Sequence, residues 1–412
     1  MERTTLILGA GGVGHVVAHK AAQNNHILGN ICIASRTINK CKKIIESINK
    51  KNSLKDKKYK IFFKQIDALQ ENKLKSLAKE INADIIINAA SAFVNIPTLK
   101  VCIDLGIPYI DTAVHEYIDS INPPPPWYAN NEWKYSELCE QKNITAILSC
   151  GFDPGMVNSY CAYAKKHLFN KINSIDILDI NQGDHGQFFA TNFDPEINLR
   201  EILETVIYWE DGKWQYAKEH SIKKFFNFPE VGKQSIYLMG HEEVHSLARF
   251  MDCDNIRFWM GFDDHYIKCF EVLHKIGLLS EQPVILDNGE SVVPIKVVKA
   301  CLPEPNSLAK NYTGKTYIGN LITGESQGKN KSVFIYNICD HEECYKEVES
   351  QAITYTAGLP PVAAAILVKN GTWDVKRMAH VEELDPDPFL KLCGEMGLTT
   401  SILENPEQLT DN

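Results

Sequence analysis

Gly9, Gly11 and Gly14 carry the first chemistry legible in this chain. Their G-x-G-x-x-G spacing, with Gly12 and Val13 inside it, gives a tight turn at Gly9, close backbone approach to a pyrophosphate at Gly11 and close helix packing at Gly14. Roughly twenty residues on, where an NAD site places a carboxylate for the ribose hydroxyls, the chain reads Ser35-Arg36-Thr37 and has no acid. Arg36 offers a planar cation for a 2′-phosphate, with Ser35 and Thr37 as further donors, so NADP(H) is the expected cofactor. The plainer reading of Arg36 is a solvated residue opening the next helix. Two acids, Asp111 and Asp153, stand at strand ends where ligands meet an open α/β sheet, although acids there often serve only as helix N-caps. His241-Glu242-Glu243-Val244-His245 matches the H-E-x-x-H zinc pattern. Ala248 and Met251 stand where the longer form of that pattern needs glycine and a third histidine, and a chain with 13 histidines meets the short form readily by chance. No metal site is expected, and His341-Glu342-Glu343-Cys344, lacking a second cluster, reads as a loop or helix start.

These residues need strands and helices to position them. An apolar run at 5–8 enters the glycine turn, and Val16, Val17, Ala18, Ala21 and Ala22 suit the helix that follows, whose amides face the phosphate. Further strands are expected at 31–34, 60–63, 84–90, 108–112 and 144–148, with helices at 71–81 and 98–105 between them. Ala89 and Ala90 are small enough to let the cofactor pass, and the sixth strand opens into Ser149 to Gly155, where Cys150, Gly151 and Phe152 are further expected cofactor contacts. Residues 122–127 hold four consecutive prolines and read as a stiff loop before a helical stretch at 132–141. From about 170 the chain is rich in short apolar runs without long helices between them, which predicts an antiparallel or mixed sheet. The expected fold is α/β: a Rossmann nucleotide-binding domain over 1–150, a second α+β domain for substrate and dimerisation over 151–355, and a segment over 356–412 returning to the first, led by a buried helix at 360–368.

Composition narrows the function. A chain of 412 residues exceeds one hydrophobic core. A net charge of -9 with no basic tail argues against nucleic acid or an anionic membrane as partner. No apolar run approaches the roughly 20 residues of a membrane span, and the first apolar stretch belongs to the nucleotide strand rather than to a signal peptide. Twelve dispersed cysteines without C-x-x-C read as reduced thiols, and a cytoplasmic location is expected.

The motifs together resemble the carboxynorspermidine synthase family within the saccharopine dehydrogenase superfamily, nearly end to end. The resemblance is carried by Ile7 to Gly14, Ile33-Ala34-Ser35-Arg36-Thr37, Tyr109-Ile110-Asp111-Thr112-Ala113, Gly151-Phe152-Asp153-Pro154-Gly155, Asp176-Ile177-Leu178-Asp179, Gly183-Asp184-His185-Gly186, Phe189-Ala190-Thr191-Asn192-Phe193, Pro195-Glu196-Ile197-Asn198, Arg257-Phe258-Trp259-Met260, Ser350-Gln351-Ala352 and Asp385-Pro386-Asp387-Pro388-Phe389. Family members have a leucine and an acid where this chain has Val244-His245, which separates the second histidine from any metal role. Asn88 to Phe93 also departs from the family's apolar-Pro-Tyr version.

The resemblance implies NADPH-dependent reductive condensation of L-aspartate 4-semialdehyde with 1,3-diaminopropane or putrescine, and a homodimer. It implies that Asp111 and Asp153 surround the reacting nitrogen and that His185, beside Asp184, moves the proton. His185 has a plainer reading as a loop histidine held by the backbone. Thr191, Asn192 and Asn198 are expected at the amino acid end of the aldehyde, with Arg200 or Arg257 on its carboxylate, unless Arg200 pairs with Glu196 along a helix. Glu242, Glu243, Tyr237 and Trp259 are expected at the distal ammonium. Two rivals are a true saccharopine dehydrogenase and a Rossmann protein that senses NADPH without turnover.

Overall fold

The structure, a computed structural model, describes residues 3–115 and 130–406; the four-proline run lies outside them. Six strands alternate with helices along the first part of the chain: β1 (Thr4–Leu8), β2 (Asn30–Ser35), β3 (Ile61–Gln65), β4 (Ala83–Asn88), β5 (Tyr109–Asp111) and β6 (Ala146–Leu148). They pair in parallel in the order β6-β5-β4-β1-β2-β3. Connections that each carry a helix across a face leave no other register, and the order reverses between β1 and β4, the crevice where ligands bind in such sheets. β1 is buried along its whole length, as a central strand covered on both faces must be.

The second sheet is mixed. It runs β7 (Lys171–Asp184), β8 (Val206–Glu210), β9 (Lys213–Ala217), β10 (Lys223–Phe228), β11 (Gly232–Met239) and β12 (Asn255–Gly261), then, past a small hairpin of β13 (Val284–Ile285) and β14 (Ser291–Val292), β15 (Thr313–Ser326) and β16 (Lys329–Asp340). The main path is β10-β11-β12-β7-β15-β16, with only β12 and β7 parallel. Apolar runs at 175–180, 235–238, 256–262, 316–319 and 333–336, among those expected beyond residue 170, form the cores of β7, β11, β12, β15 and β16, while β8, β9 and β10 were not anticipated. β9 (Lys213-Trp214-Gln215-Tyr216-Ala217) and β10 (Lys223-Lys224-Phe225-Phe226-Asn227-Phe228) mix polar with apolar positions and read as loop, whereas β8 (Val206-Ile207-Tyr208-Trp209-Glu210) is itself a short apolar run.

The C-terminal part does more than return to the Rossmann domain. β17 (Met378–His380) extends the first sheet beside β6, while β18 (Ser401–Glu404) closes the second against β16. The helix Pro360–Lys369 is buried from Pro360 through Val368. The stretch Ala352–Lys369 is long and apolar enough to cross a membrane, yet most of it is packed inside the protein. A single apolar core joins Ile7, Val16 and Ile33 of the first domain to Ile175, Phe258 and Ile335 of the second. All twelve cysteines are free thiols.

Candidate functional site

At the nucleotide end, Gly9 has φ +105° and a Cβ there would stand 2.4 Å from the carbonyl oxygen of Ala89. A Cβ on Gly14 would stand equally close to the carbonyl of Gly9, whereas nothing comes within 4 Å of a Cβ on Gly11. The turn is therefore packed shut behind and open in front, the shape a pyrophosphate needs. Arg36 and Thr37 are exposed beyond β2, with Ser35 half-buried and accepting the Thr37 amide at 3.3 Å. No carboxylate stands at the end of β2, so the residues fit NADP(H). Cys150 and Phe152 do not face this cleft. Both side chains are buried in the core, Phe152 edge-on to Tyr160, and only backbone remains there for a cofactor.

The principal polar cluster lies where the two domains meet. Along β7, Ile175, Ile177, Asp179 and Asn181 share one face because strand side chains alternate. Asp153, on the loop after β6, faces Asp179 within hydrogen-bonding reach. His241 caps the helix Glu242–Phe250 and stacks on Phe258 of β12 at 4.1 Å. Its Nε2 donates to Glu201 at 3.0 Å and its Nδ1 to Glu243. Four carboxylates thus surround one imidazolium. Burial raises Asp153 well above the carboxylate range, and Asp179, Glu243 and Glu201 raise it further against the opposing pull of His241. Burial likewise pushes Asp179 up to about 7. Burial alone would lower His241, but Glu243 and Glu201 overcome it and hold the ring protonated. The centre is short of positive charge, and burying like charges without a partner costs several kcal/mol. It holds a proton between Asp153 and Asp179 and has room electrostatically for a cation.

A second polar network adjoins it along the same strand. Asn181, about 7 Å from Asp179 by strand geometry, donates to the Tyr312 hydroxyl at 2.5 Å, which donates to Asn192 at 2.7 Å. His341 stacks on Tyr312 at 3.7 Å and donates to Asn181 at 2.9 Å. His185 belongs here: its ring meets Tyr312 edge-on at 5.3 Å, and burial lowers its pKa although Asp184 and Asp263 pull upward. His185 thus belongs to the Tyr312 network that adjoins the Asp153 cluster. Asp184 is exposed and accepts the Gly186 amide at 2.7 Å.

Several expected contacts are engaged elsewhere. Asp111 is buried inside the Rossmann domain and accepts the Ser149 amide at 2.5 Å; Glu132, not Asp153, is its acidic neighbour. Arg257 is paired to Asp176 at 2.8 Å and Glu210 at 2.9 Å, and Trp259 donates to Asp176. Asp176 is three residues from Asp179, hence on the opposite face of β7, so neither Arg257 nor Trp259 reaches the cluster. Arg200 pairs with Glu281 rather than Glu196, which is held by Lys299. Glu242 accepts the amide of Val114, and the Thr191 hydroxyl donates to the carbonyl of Phe193. Asn198 accepts the Tyr266 hydroxyl at 3.0 Å, and Tyr266 stacks on Phe189 and Phe262 beside Glu201. Tyr237, paired across from Met260, does share the face of Asp179. The two histidines of the zinc-like pattern part company. His245 is buried against Trp214 at 4.5 Å, and among the described residues no group of side chains suits a metal. Asp179, Glu201 and His241 were missed as a site. The signal for Asp179 was an acid in phase with Ile175 and Ile177.

The matches to known proteins agree with this geometry. The saccharopine dehydrogenase NADP binding domain matches residues 5–147 and the saccharopine dehydrogenase C-terminal domain residues 151–398. The carboxynorspermidine synthase of Vibrio alginolyticus is 48% identical over 97% of this chain and 96% of its own length. The carboxyaminopropylagmatine dehydrogenase of Synechocystis sp. is 41% identical over 95% of this chain and 96% of its own. The solved structure of saccharopine dehydrogenase (L-Glu forming) from Saccharomyces cerevisiae shares the fold, with a TM-score of 0.71 over 97% of this chain and 99% of that one at 14% identity. An open phosphate turn, two sheets meeting at an acidic centre and full-length matches on both sides of that junction lead to one assignment: the chain belongs to the saccharopine dehydrogenase family, as an oxidoreductase in the group that includes the carboxynorspermidine synthases.

Proposed function

We propose that this protein catalyses NADPH-dependent reductive condensation of L-aspartate 4-semialdehyde with a diamine, 1,3-diaminopropane or putrescine, giving carboxynorspermidine or carboxyspermidine. The observation that carries this reading is the acidic centre of Asp153, Asp179, Glu201 and Glu243 with His241 as its one cation among the described residues. A diammonium substrate supplies the missing positive charge. Glutamate, the nitrogen donor of a saccharopine-forming enzyme, brings two carboxylates and needs arginines. The chain has six, and none is placed in the cluster. Arg200, Arg257 and Arg377 are ion-paired, Arg249 lies over Trp133, and Arg36 is at the cofactor turn.

The Asp153–Asp179 pair takes a proton from the incoming ammonium, and the neutral amine attacks the aldehyde carbon. The same pair returns a proton to the carbinolamine hydroxyl, which leaves as water and creates the iminium. Glu201 and Glu243 stabilise that new positive charge, while His241 fixes their orientation. When bound, the cofactor supplies the hydride that reduces the iminium carbon. Tyr266, Phe189 and Phe262 form an apolar wall beside Glu201 that limits water near the iminium. Asn192, held by Tyr312 in the network beside the cluster, is the candidate contact for the aldehyde's amino acid end. A homodimer in the cytoplasm remains part of the proposal.

The test follows NADPH oxidation by absorbance with aspartate semialdehyde and each of 1,3-diaminopropane, putrescine and agmatine, and separately with glutamate and aminoadipate semialdehyde, identifying products by mass. Turnover with a diamine and the mass of the carboxy-triamine is expected. Turnover with the glutamate pair alone would sink the polyamine reading, and tight NADPH binding without turnover would point to a sensor.

A further inference from the structure

We propose that Lys40 is a second determinant of NADP(H) recognition, paired with Glu304 of the second domain in the free protein and transferred to the cofactor's 2′-phosphate on binding. The inference rests on the NADP(H) reading and extends it to a residue outside the Ser35-Arg36-Thr37 motif.

Arg36 is exposed, and its guanidinium makes no ion pair or hydrogen bond among the described residues. Lys40 lies in the first turn of the helix Ile38–Lys50, its amide bonded back to the carbonyl of Thr37. Arg36, Thr37 and Lys40 therefore occupy one short stretch beyond the end of β2, where the adenosine ribose belongs. The Lys40 ammonium meets Glu304 at 3.2 Å, with about half of the lysine and most of the glutamate in solvent. Two positions on, Asn306 reaches the phosphate turn: its Oδ1 lies 2.7 Å from where a Cβ on Gly12 would stand. This short piece of the second domain thus crosses the nucleotide cleft, touching the pyrophosphate turn at one end and the ribose end at the other.

Charge decides which anion Lys40 keeps. An exposed lysine–carboxylate pair contributes little to stability and is screened by salt. A phosphate monoester carries close to two charges and three acceptor oxygens, enough to bridge Arg36 and Lys40 with charge-assisted bonds. Glu304 is then left beside a dianion without a partner and is pushed outward. NAD(H), lacking the 2′-phosphate, leaves the Lys40–Glu304 pair intact.

Binding constants for NADPH, NADH and 2′,5′-ADP, measured by calorimetry on the wild type, Lys40→Met and Glu304→Gln, test this without relying on turnover. Lys40→Met is expected to weaken NADPH and 2′,5′-ADP about tenfold, as loss of one charge-assisted contact does, and to leave NADH unchanged. Glu304→Gln is expected to tighten both phosphorylated ligands severalfold, again without effect on NADH. Equal weakening of NADPH and NADH by Lys40→Met, or no effect on either, overturns the assignment. Loss in Lys40→Met without gain in Glu304→Gln overturns the exchange between the two anions. A wild type that prefers NADPH, with that preference surviving both substitutions, overturns the inference but not the cofactor reading; a wild type with no preference overturns both.

Discussion

Asp111 and Asp153 follow neighbouring strands of one sheet, and burial holds both carboxyls far above the usual range, yet their surroundings differ in kind. Asp111 looks into the Rossmann domain. Its neighbours are Glu132, whose carboxyl takes the His115 amide at 2.6 Å, the phenol of Tyr109 and the Ser149 amide. Among the described residues no cation acts on it, and one oxygen each of Asp111 and Glu132 is buried without a hydrogen-bond partner. Asp153 looks out of the domain, across the junction, to carboxylates on β7 and the helix Pro195–Leu203 and to His241. The first pair holds a proton because it is sealed. Burial raises the second pair too, but Glu201, Glu243 and the cationic His241 also face it across the junction, and we propose that this setting lets it give its proton up during the reaction. A raised carboxyl is thus informative about function only together with what faces it.

The sharpest way to break this comparison is Asp153→Asn. If the proton pair does the acid–base work, kcat falls by roughly 10²–10⁴-fold while calorimetry shows NADPH binding unchanged; a kcat within a few-fold of wild type would move the chemistry elsewhere. His241→Gln comes next. Removing the one cation leaves four carboxylates uncompensated, so Asp153 and Asp179 rise further and resist ionisation. We expect kcat/KM for the diamine to fall by about ten- to a hundredfold, or ~1.4–2.8 kcal/mol, and activity to recover partly as pH is raised.

A smaller effect sharpens the comparison in the free protein. Burial pushes Asp179 up to about 7, and an ammonium bound beside it favours its ionised form. Diamine binding must therefore tighten as pH rises from about 6 to about 8 and release protons around neutrality, since the complex holds fewer protons than the free protein. Calorimetry in two buffers of different ionisation enthalpy reads the proton count. A count of zero at neutral pH would mean that the diamine sits outside the cluster.

The two carboxyls also mark how far the residues could be read before the fold was known. The nucleotide half is local. Gly9 to Gly14 and Ser35 to Thr37 each act within one turn, so spacing alone locates them, and the α/β alternation orders the strands. Asp111 and Asp153 were both identifiable as acids at strand ends, but the direction each faces depends on what packs against the sheet. Asp179, Glu201 and His241 come from three distant elements that meet only when the second sheet docks. His241 even carried a misleading local pattern, because the helix that starts after it sends His245 into the core. Arg200 and Arg257 suited a substrate carboxylate until the fold supplied Glu281, Asp176 and Glu210 as partners. Lysine-rich edge strands such as β10 escaped for the opposite reason: their exposed faces lack the alternation that marks a half-buried strand.

Asp111→Asn should do least, and its pH dependence separates a sealed carboxyl from a working one. Because the folded protein holds Asp111 protonated well above its unfolded value, the folded state binds the extra proton over that interval. Stability must therefore fall as pH rises from the unfolded pKa toward the folded one. The amide mimics the protonated acid and keeps an oxygen for the Ser149 amide, so at low pH, where the wild type is protonated in both folded and unfolded states, the substitution changes stability by no more than about 1 kcal/mol. As pH rises the wild type loses stability that Asp111→Asn keeps, and the two melting curves should converge at low pH and part on the alkaline side, with kcat unchanged within about twofold. A collapse of kcat in Asp111→Asn with normal melting would instead put Asp111 in contact with the reacting nitrogen, and the distinction between the two acids would fail.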